Sequence, residues 1–172
     1  MITKAEIINQ PYSGKYKERI YDIRSSWNSS GWTWVKFEED DFHEWCGEFR
    51  GSPRAVSLSR KYNKILVLTS DYLYQVDVDS GDLIEYESNT HYQCLTVTPS
   101  GDFVIADYYH IEKIGATLND KMLLKSPIEV DEIQFHDWSH HKLLITCEEF
   151  LGDNQHVKLE LDGDTLEITL KD

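Results

Sequence analysis

Three stretches of the chain repeat one pattern. Arg54–Thr69 reads RAVSLSRKYNKILVLT, Gln93–Asp107 reads QCLTVTPSGDFVIAD and Glu132–Thr146 reads EIQFHDWSHHKLLIT. Each is an alternating apolar strand, a polar turn and a nearly continuous apolar strand. Leu58, Val97 and Phe135 hold equivalent places, 39 and 38 residues apart. An internal period near 40 residues built from short strands leaves few architectures open. A unit of that size cannot bury its apolar faces alone and must stack on its neighbours.

The rest of each unit follows the same logic. Leu73–Val78, the turn Asp79-Ser80-Gly81-Asp82 and Leu83–Glu87 complete the first. His110–Ile114 and Lys121–Lys125 complete the second, and His156–Leu161 and Leu166–Leu170 the third. Glycines at Ser80-Gly81, Ser100-Gly101 and Asp162-Gly163 are predicted to take the positive φ of tight hairpins. The fold expected is all-β: a propeller-like stack of three to four antiparallel four-stranded sheets, incomplete or open. Within a single domain spanning 1–172, residues 1–26 read as an N-terminal extension and 27–50 as a degenerate sheet. Blades then fall at 51–90, 91–127 and 128–172. Trp32–Phe37 and Phe42–Phe49 would be the two strands of the degenerate sheet, whereas Ala5–Asn9 and Tyr16–Ser25 read equally as helix or strand. Leu58, Leu66, Leu68, Val76, Leu95, Val97, Val104, Ile133, Phe135, Leu144 and Ile145 are expected to be buried.

Phe49–Glu85 resembles a blade of the YVTN-type propeller repeats. Gly51, Pro53, Val56 and Ser59 match the first strand of such a blade, Val67 and Thr69 the second, and Asp77 and Gly81 the closing turn. The resemblance extends over roughly residues 49–171 and implies architecture only, because propellers host many unrelated activities.

Charge narrows the partners. The chain carries 17 basic and 31 acidic residues, a net of −14, and from Ile65 to Glu112 it has nine carboxylates with no Lys or Arg. Such a field repels phosphate backbones, so nucleic acid is not an expected partner, and it attracts cationic ones. No apolar run approaches the ~20 residues of a transmembrane helix, and no secretory signal pattern is visible at the start. Cys46, Cys94 and Cys147 are scattered and odd in number, which suits a reduced, cytoplasmic protein.

Four of the five tryptophans lie within 19 residues, around Glu38-Glu39-Asp40-Asp41. Tryptophan anchors interfaces and carboxylates pair with Arg or Lys. Trp32, Trp34 and Trp45 with Glu38, Glu39, Asp40 and Asp41 therefore form the expected partner-binding surface, against the alternative that the tryptophans fill a core. A second acidic surface runs through Asp71, Asp77, Asp79, Asp82, Glu85 and Glu87. No catalytic residue, metal or cofactor is expected. His136, His140 and His141 fall on a strand end and hairpin turn, and Asp107, Tyr108, Tyr109 and His110 form at most a weak acid–base cluster. In overall character, small, acidic and motif-free, the chain is similar to bacterial immunity proteins that neutralise a basic toxin such as a nuclease. That likeness implies a non-enzymatic protein-binding module. The alternatives are a propeller-like protein recognising a small molecule or carbohydrate, or a scaffold subunit; an open stack would also permit a homodimer.

Overall fold

Period-two alternation becomes strand wherever it occurs. The computed structural model describes residues 1–88, 91–151 and 155–171, which hold sixteen strands and no α-helix. The strands form four four-stranded sheets of the propeller-like kind, none closed into a barrel. They fall into two compact units, Met1–Thr90 and His91–Asp172.

In the first unit, β1 (Ile2–Ile8), β2 (Lys17–Tyr21), β3 (Trp32–Glu39) and β4 (Glu44–Arg50) make one sheet, and β5 (Pro53–Ser59), β6 (Lys64–Thr69), β7 (Leu73–Asp77) and β8 (Leu83–Glu87) the other. The second sheet is a simple meander, β5-β6-β7-β8, whereas the first is ordered β1-β3-β4-β2. The degenerate sheet expected over 27–50 is thus completed by strands from residues 1–26, which do not form a separate extension. One pairing departs from the expected antiparallel pattern: β2 runs parallel to β4, Lys17 opposite Trp45 through Tyr21 opposite Phe49. The reason is topological, since β1 and β2 occupy opposite edges and the segment between them must cross over. Pro11, Tyr12 and Tyr16 from that segment line a hollow with Lys36 on the sheet's outer side.

The unit's core forms where the two sheets face each other. Val35, Phe37, Trp45 and Phe49 from one meet Ile65, Val67, Tyr74 and Val76 from the other. Burial of each such side chain contributes about 1.5–3 kcal/mol. Tyr21 stacks on Phe49 at 4.4 Å and donates to the Gly81 carbonyl at 2.6 Å, and burial pushes its phenol up to about 12.

In the second unit, β9 (Cys94–Val97), β10 (Phe103–Ala106), β11 (Ile111–Ile114) and β12 (Lys121–Leu124) form one meander, and β13 (Val130–Ser139), β14 (Lys142–Glu149), β15 (His156–Asp162) and β16 (Ile168–Leu170) the other. Val104, Ala106 and Ile111 pack against Ile133, Leu143, Ile145 and Leu159. Of the core set expected from the sequence, Leu58, Val97, Phe135 and Leu144 are only half-buried. In β14 the alternation puts Leu143, Ile145 and Cys147 inside, so its neighbour Leu144 faces the other way.

Turn chemistry repeats even where the sequence does not. Asp77 Oδ1 accepts the Asp79 and Ser80 amides at 3.0 and 2.9 Å, and Asp162 Oδ1 accepts those of Asp164 and Thr165 at the same distances. Gly81 (φ 69°) and Gly101 (φ 92°) take the expected left-handed conformation. The Asp162-Gly163 turn differs: its left-handed residue is Leu166 (φ 61°). Gly163 is needed instead for close approach, because a Cβ there would lie 2.7 Å from Pro99 and 2.8 Å from Trp138.

The β13–β14 hairpin turns on two histidines, His140 (φ 48°) and His141 (φ 64°), where Asn-Gly is the unstrained choice for two successive left-handed residues. Replacing them together (His140→Asn with His141→Gly) should raise stability by about 1 kcal/mol. Calorimetry should register that as an increase in melting temperature of about 2–4 °C for a chain of this size.

Candidate functional site

Alternation along β3 decides what the tryptophan-rich segment presents. Thr33, Val35 and Phe37 are buried, so Trp32, Trp34, Lys36 and Glu38 share the outer face. Trp32 is half-buried beneath the Arg50 guanidinium, which stands 3.7 Å from the ring centroid and is held by both carboxylate oxygens of Asp22 at 3.0 and 3.2 Å. Trp34 is half-buried between its cross-strand neighbours Ile8 and Glu48. Lys36 bridges Glu6 at 2.6 Å and Glu44 at 3.1 Å. Cys46, on the same side of β4, is fully buried, and burial with the nearby Glu48 and Glu18 pushes its thiol up to about 11.

Trp45 belongs elsewhere. It points inward, is 4% exposed, packs on Phe37 at 4.4 Å and donates Nε1–H to Glu39 Oε1 at 3.2 Å. The expectation that it anchors a partner is corrected by this burial, and Glu39 is committed to holding it.

What the β3–β4 hairpin does expose is its tip. The Phe42 amide donates to the Glu39 carbonyl at 3.0 Å, and the Glu39 amide to the His43 carbonyl at 2.9 Å. This is a tight turn followed by one left-handed residue, a position that glycine normally fills. Phe42 fills it here, with φ 64° and 82% of its surface exposed. A bulky residue in that conformation costs about 1–3 kcal/mol. Exposed Asp40 and Asp41 precede it. The Asp41 carboxylate accepts the His43 amide at 3.0 Å, and the amino group of Met1 lies 3.2 Å from Asp40. Sequence reasoning missed Phe42 because it counted the residue as strand. The signal available was the spacing, which puts Phe42 last in the Glu39–Phe42 turn.

The second acidic set divides by role. Asp71 is 8% exposed and accepts the Ser29 amide at 2.7 Å and the Ser70 hydroxyl at 2.6 Å. It is therefore an internal brace for the 24–30 segment and not part of a surface. Asp77 caps its turn and pairs with Lys64 at 3.3 Å; the Ser80 amide above all holds its carboxyl below the usual range. Asp79 and Asp82 are exposed, and Glu85 and Glu87 are half-exposed along the edge strand β8.

Burial alone would raise the Asp71 carboxyl; the hydrogen bonds from Ser70 and Ser29 outweigh it and bring it below its ordinary value. Its contribution to stability is thus complete above about pH 4 and is lost as pH falls through the lowered folded value. Acid unfolding followed by tryptophan fluorescence should show this loss, and an Asp71→Asn protein should lack that part of the pH dependence.

In the second unit, the β10–β11 turn, the β12–β13 connection and the end of β14 enclose a largely apolar cleft of about 530 Å³, walled by Tyr109, Leu123, Ile128 and Phe150 with His110 and Glu129 on its lining. Tyr109 meets Phe150 edge-on at 6.1 Å. Asp107 Oδ1 accepts the Tyr109 and His110 amides, both at 2.7 Å, and Oδ2 lies 3.4 Å from His110 Nδ1. The carboxylate shapes the turn as Asp77 and Asp162 shape theirs. Of the three histidines singled out earlier, His136 bonds Thr146 Oγ1 at 2.8 Å, and His140 and His141 form their turn.

No protein-family model matches the chain, and no curated protein matches it. Among solved structures, dihydro-heme d1 dehydrogenase NirN in complex with DHE is similar over 82% of this chain, at 13% identity and a TM-score of 0.44. The chain spans 44% of that structure's length. Likeness at this level transfers no activity.

Proposed function

We propose that the chain is a non-enzymatic binding module for a basic protein partner, engaged through the β3–β4 hairpin tip, and that it acts as the immunity protein of a cationic toxin such as a nuclease. The observation that carries this reading is Phe42, an aromatic side chain held out in solvent by a hydrogen-bonded turn and flanked by Asp40 and Asp41. A large aromatic side chain can serve as a buried anchor once a partner covers it, carboxylates at its rim steer a cationic partner, and pre-organisation lowers the entropy lost on binding. The net charge of −14 supplies the long-range attraction. The three cysteines, scattered and odd in number, support a reduced, cytoplasmic setting for this role.

The test is affinity capture at low salt, followed by titration of the purified captured protein. Charge reversal at Glu38, Asp40 and Asp41 should slow association and flatten its salt dependence, because exposed charges act mainly on encounter. Equal association rates with the hairpin charge-reversed would refute the site. Capture of partners that are not basic would refute the reading itself.

A further inference from the structure

The second unit gathers three large apolar side chains, each open to water, around one hollow. Tyr109, Leu123 and Phe150 are 51%, 61% and 41% exposed, and all three wall the cleft of about 530 Å³. Buried Ile111, Leu124 and Val130 line it as well. Apolar residues scattered singly over a surface need no explanation, whereas a contiguous group of them marks a binding site. The volume is that of a small-molecule site, and polar side chains join the lining at only a few points, as in such sites generally. The hollows of the first unit differ: Asp22, Arg24 and Arg50 line one, and Lys15 and Lys36 the other.

Three features of the lining select the ligand. The Tyr109 ring meets Phe150 edge-on at 6.1 Å and His110 edge-on at 6.3 Å, an array that a further ring extends by stacking or edge contact. Lys125 and Glu129 bring one charge of each sign to the lining. A charged ligand of either sign would meet a like charge there and would shed its water among apolar walls. The third feature is an acceptor. Asp107 Oδ2 lies 3.4 Å from His110 Nδ1. A carboxylate only accepts, so Nδ1 carries the hydrogen, and Nε2 of the neutral ring is left to accept another. We infer that the cleft binds an uncharged, flat aromatic small molecule, its ring against Leu123 and the Tyr109–Phe150 pair and its O–H or N–H donated to His110. The cleft lies in the other unit from the hairpin and does not depend on the protein-binding reading.

The probe is β-naphthol, titrated by calorimetry against the full chain. Its methyl ether has the same rings without the donor, its carboxylate and trimethylammonium analogues carry a charge, and its fully saturated alcohol lacks aromaticity. Saturable binding of β-naphthol is expected, with the ether about fivefold weaker, the worth of one hydrogen bond. His110→Phe keeps a ring and removes the acceptor, so β-naphthol should fall to the affinity of the ether while the ether itself binds as before. Phe150→Ala and Leu123→Ser, both at exposed positions where the fold should be kept, should weaken both ligands about fivefold or more. Phe42→Gly should bind β-naphthol as the unaltered chain does. Undiminished binding by both Phe150→Ala and Leu123→Ser overturns the site. A charged or saturated analogue that binds as tightly as β-naphthol overturns the ligand class, and an equally tight ether overturns the bond to His110. Failure of the unaltered chain to bind β-naphthol, or a concentration-dependent dimer that β-naphthol dissociates, overturns the proposal as a whole.

Discussion

Trp45→Ala is expected to lower the stability of the chain by about 3–5 kcal/mol, the range for emptying a buried large aromatic site. For a protein of this length the melting temperature should fall by roughly 6–20 °C. The residue joins both sheets of the first unit. It packs on Phe37, lies under the Arg19 guanidinium at 4.8 Å, and stands so close to the β7–β8 turn that a Cβ on Gly81 would come within 2.8 Å of it. Its Nε1–H bond to Glu39 is lost as well, which frees a carboxylate at the base of the hairpin. Denaturant titration should therefore show a lowered midpoint, while the fraction that remains folded keeps its partner affinity. A change of less than about 1 kcal/mol would mean that the ring is not a core element.

Phe42→Gly should separate folding from function in the opposite sense. Glycine adopts φ near +64° without strain, which recovers about 1–2 kcal/mol, and the added freedom of the unfolded chain takes back about 0.4–1 kcal/mol. Stability should be unchanged or raised by about 1 kcal/mol. Partner affinity should fall by about 2 kcal/mol or more, roughly thirtyfold, if the ring is a true anchor. Loss of an anchor acts on dissociation, so the off-rate carries the change and the salt dependence stays as it was. Phe42→Leu should be intermediate in affinity and as strained as the original. A Phe42→Gly protein that binds undiminished removes the hairpin as the contact site, whatever its stability.

The three repeated units were legible from residue order because their strands are set locally. Period-two alternation, Gly-bearing turns and Asp-capped loops act over a few residues, and each boundary near Ala55, Gln93 and Ile133 follows from them. The first sheet was only half legible. Trp32–Glu39 and Glu44–Arg50 alternate clearly, but Ile2–Ile8 and Lys17–Tyr21 become strands through pairing with residues some 30 positions away. Nothing in KERIY distinguishes strand from helix until Gly47 and Phe49 lie beside it.

The candidate site divides along the same line. Composition was enough to mark the Glu38–Asp41 run, and charge needs no fold to be counted. Whether a tryptophan anchors a partner or a core depends on which sheet face it takes and what covers that face. Trp34 and Trp45 lie opposite-facing on neighbouring strands for that reason. Asp71 looks like surface charge in the sequence and becomes a buried brace only when the Ser29 amide reaches it from 42 positions away. Phe42 looks like the start of a strand and becomes an exposed ring because the turn closes one residue later than the apolar pattern suggests. Alternation, turn chemistry and net charge are properties of neighbouring residues and were written in the chain. Face, burial and edge exposure arise from pairing between distant segments, and only the folded arrangement decided them.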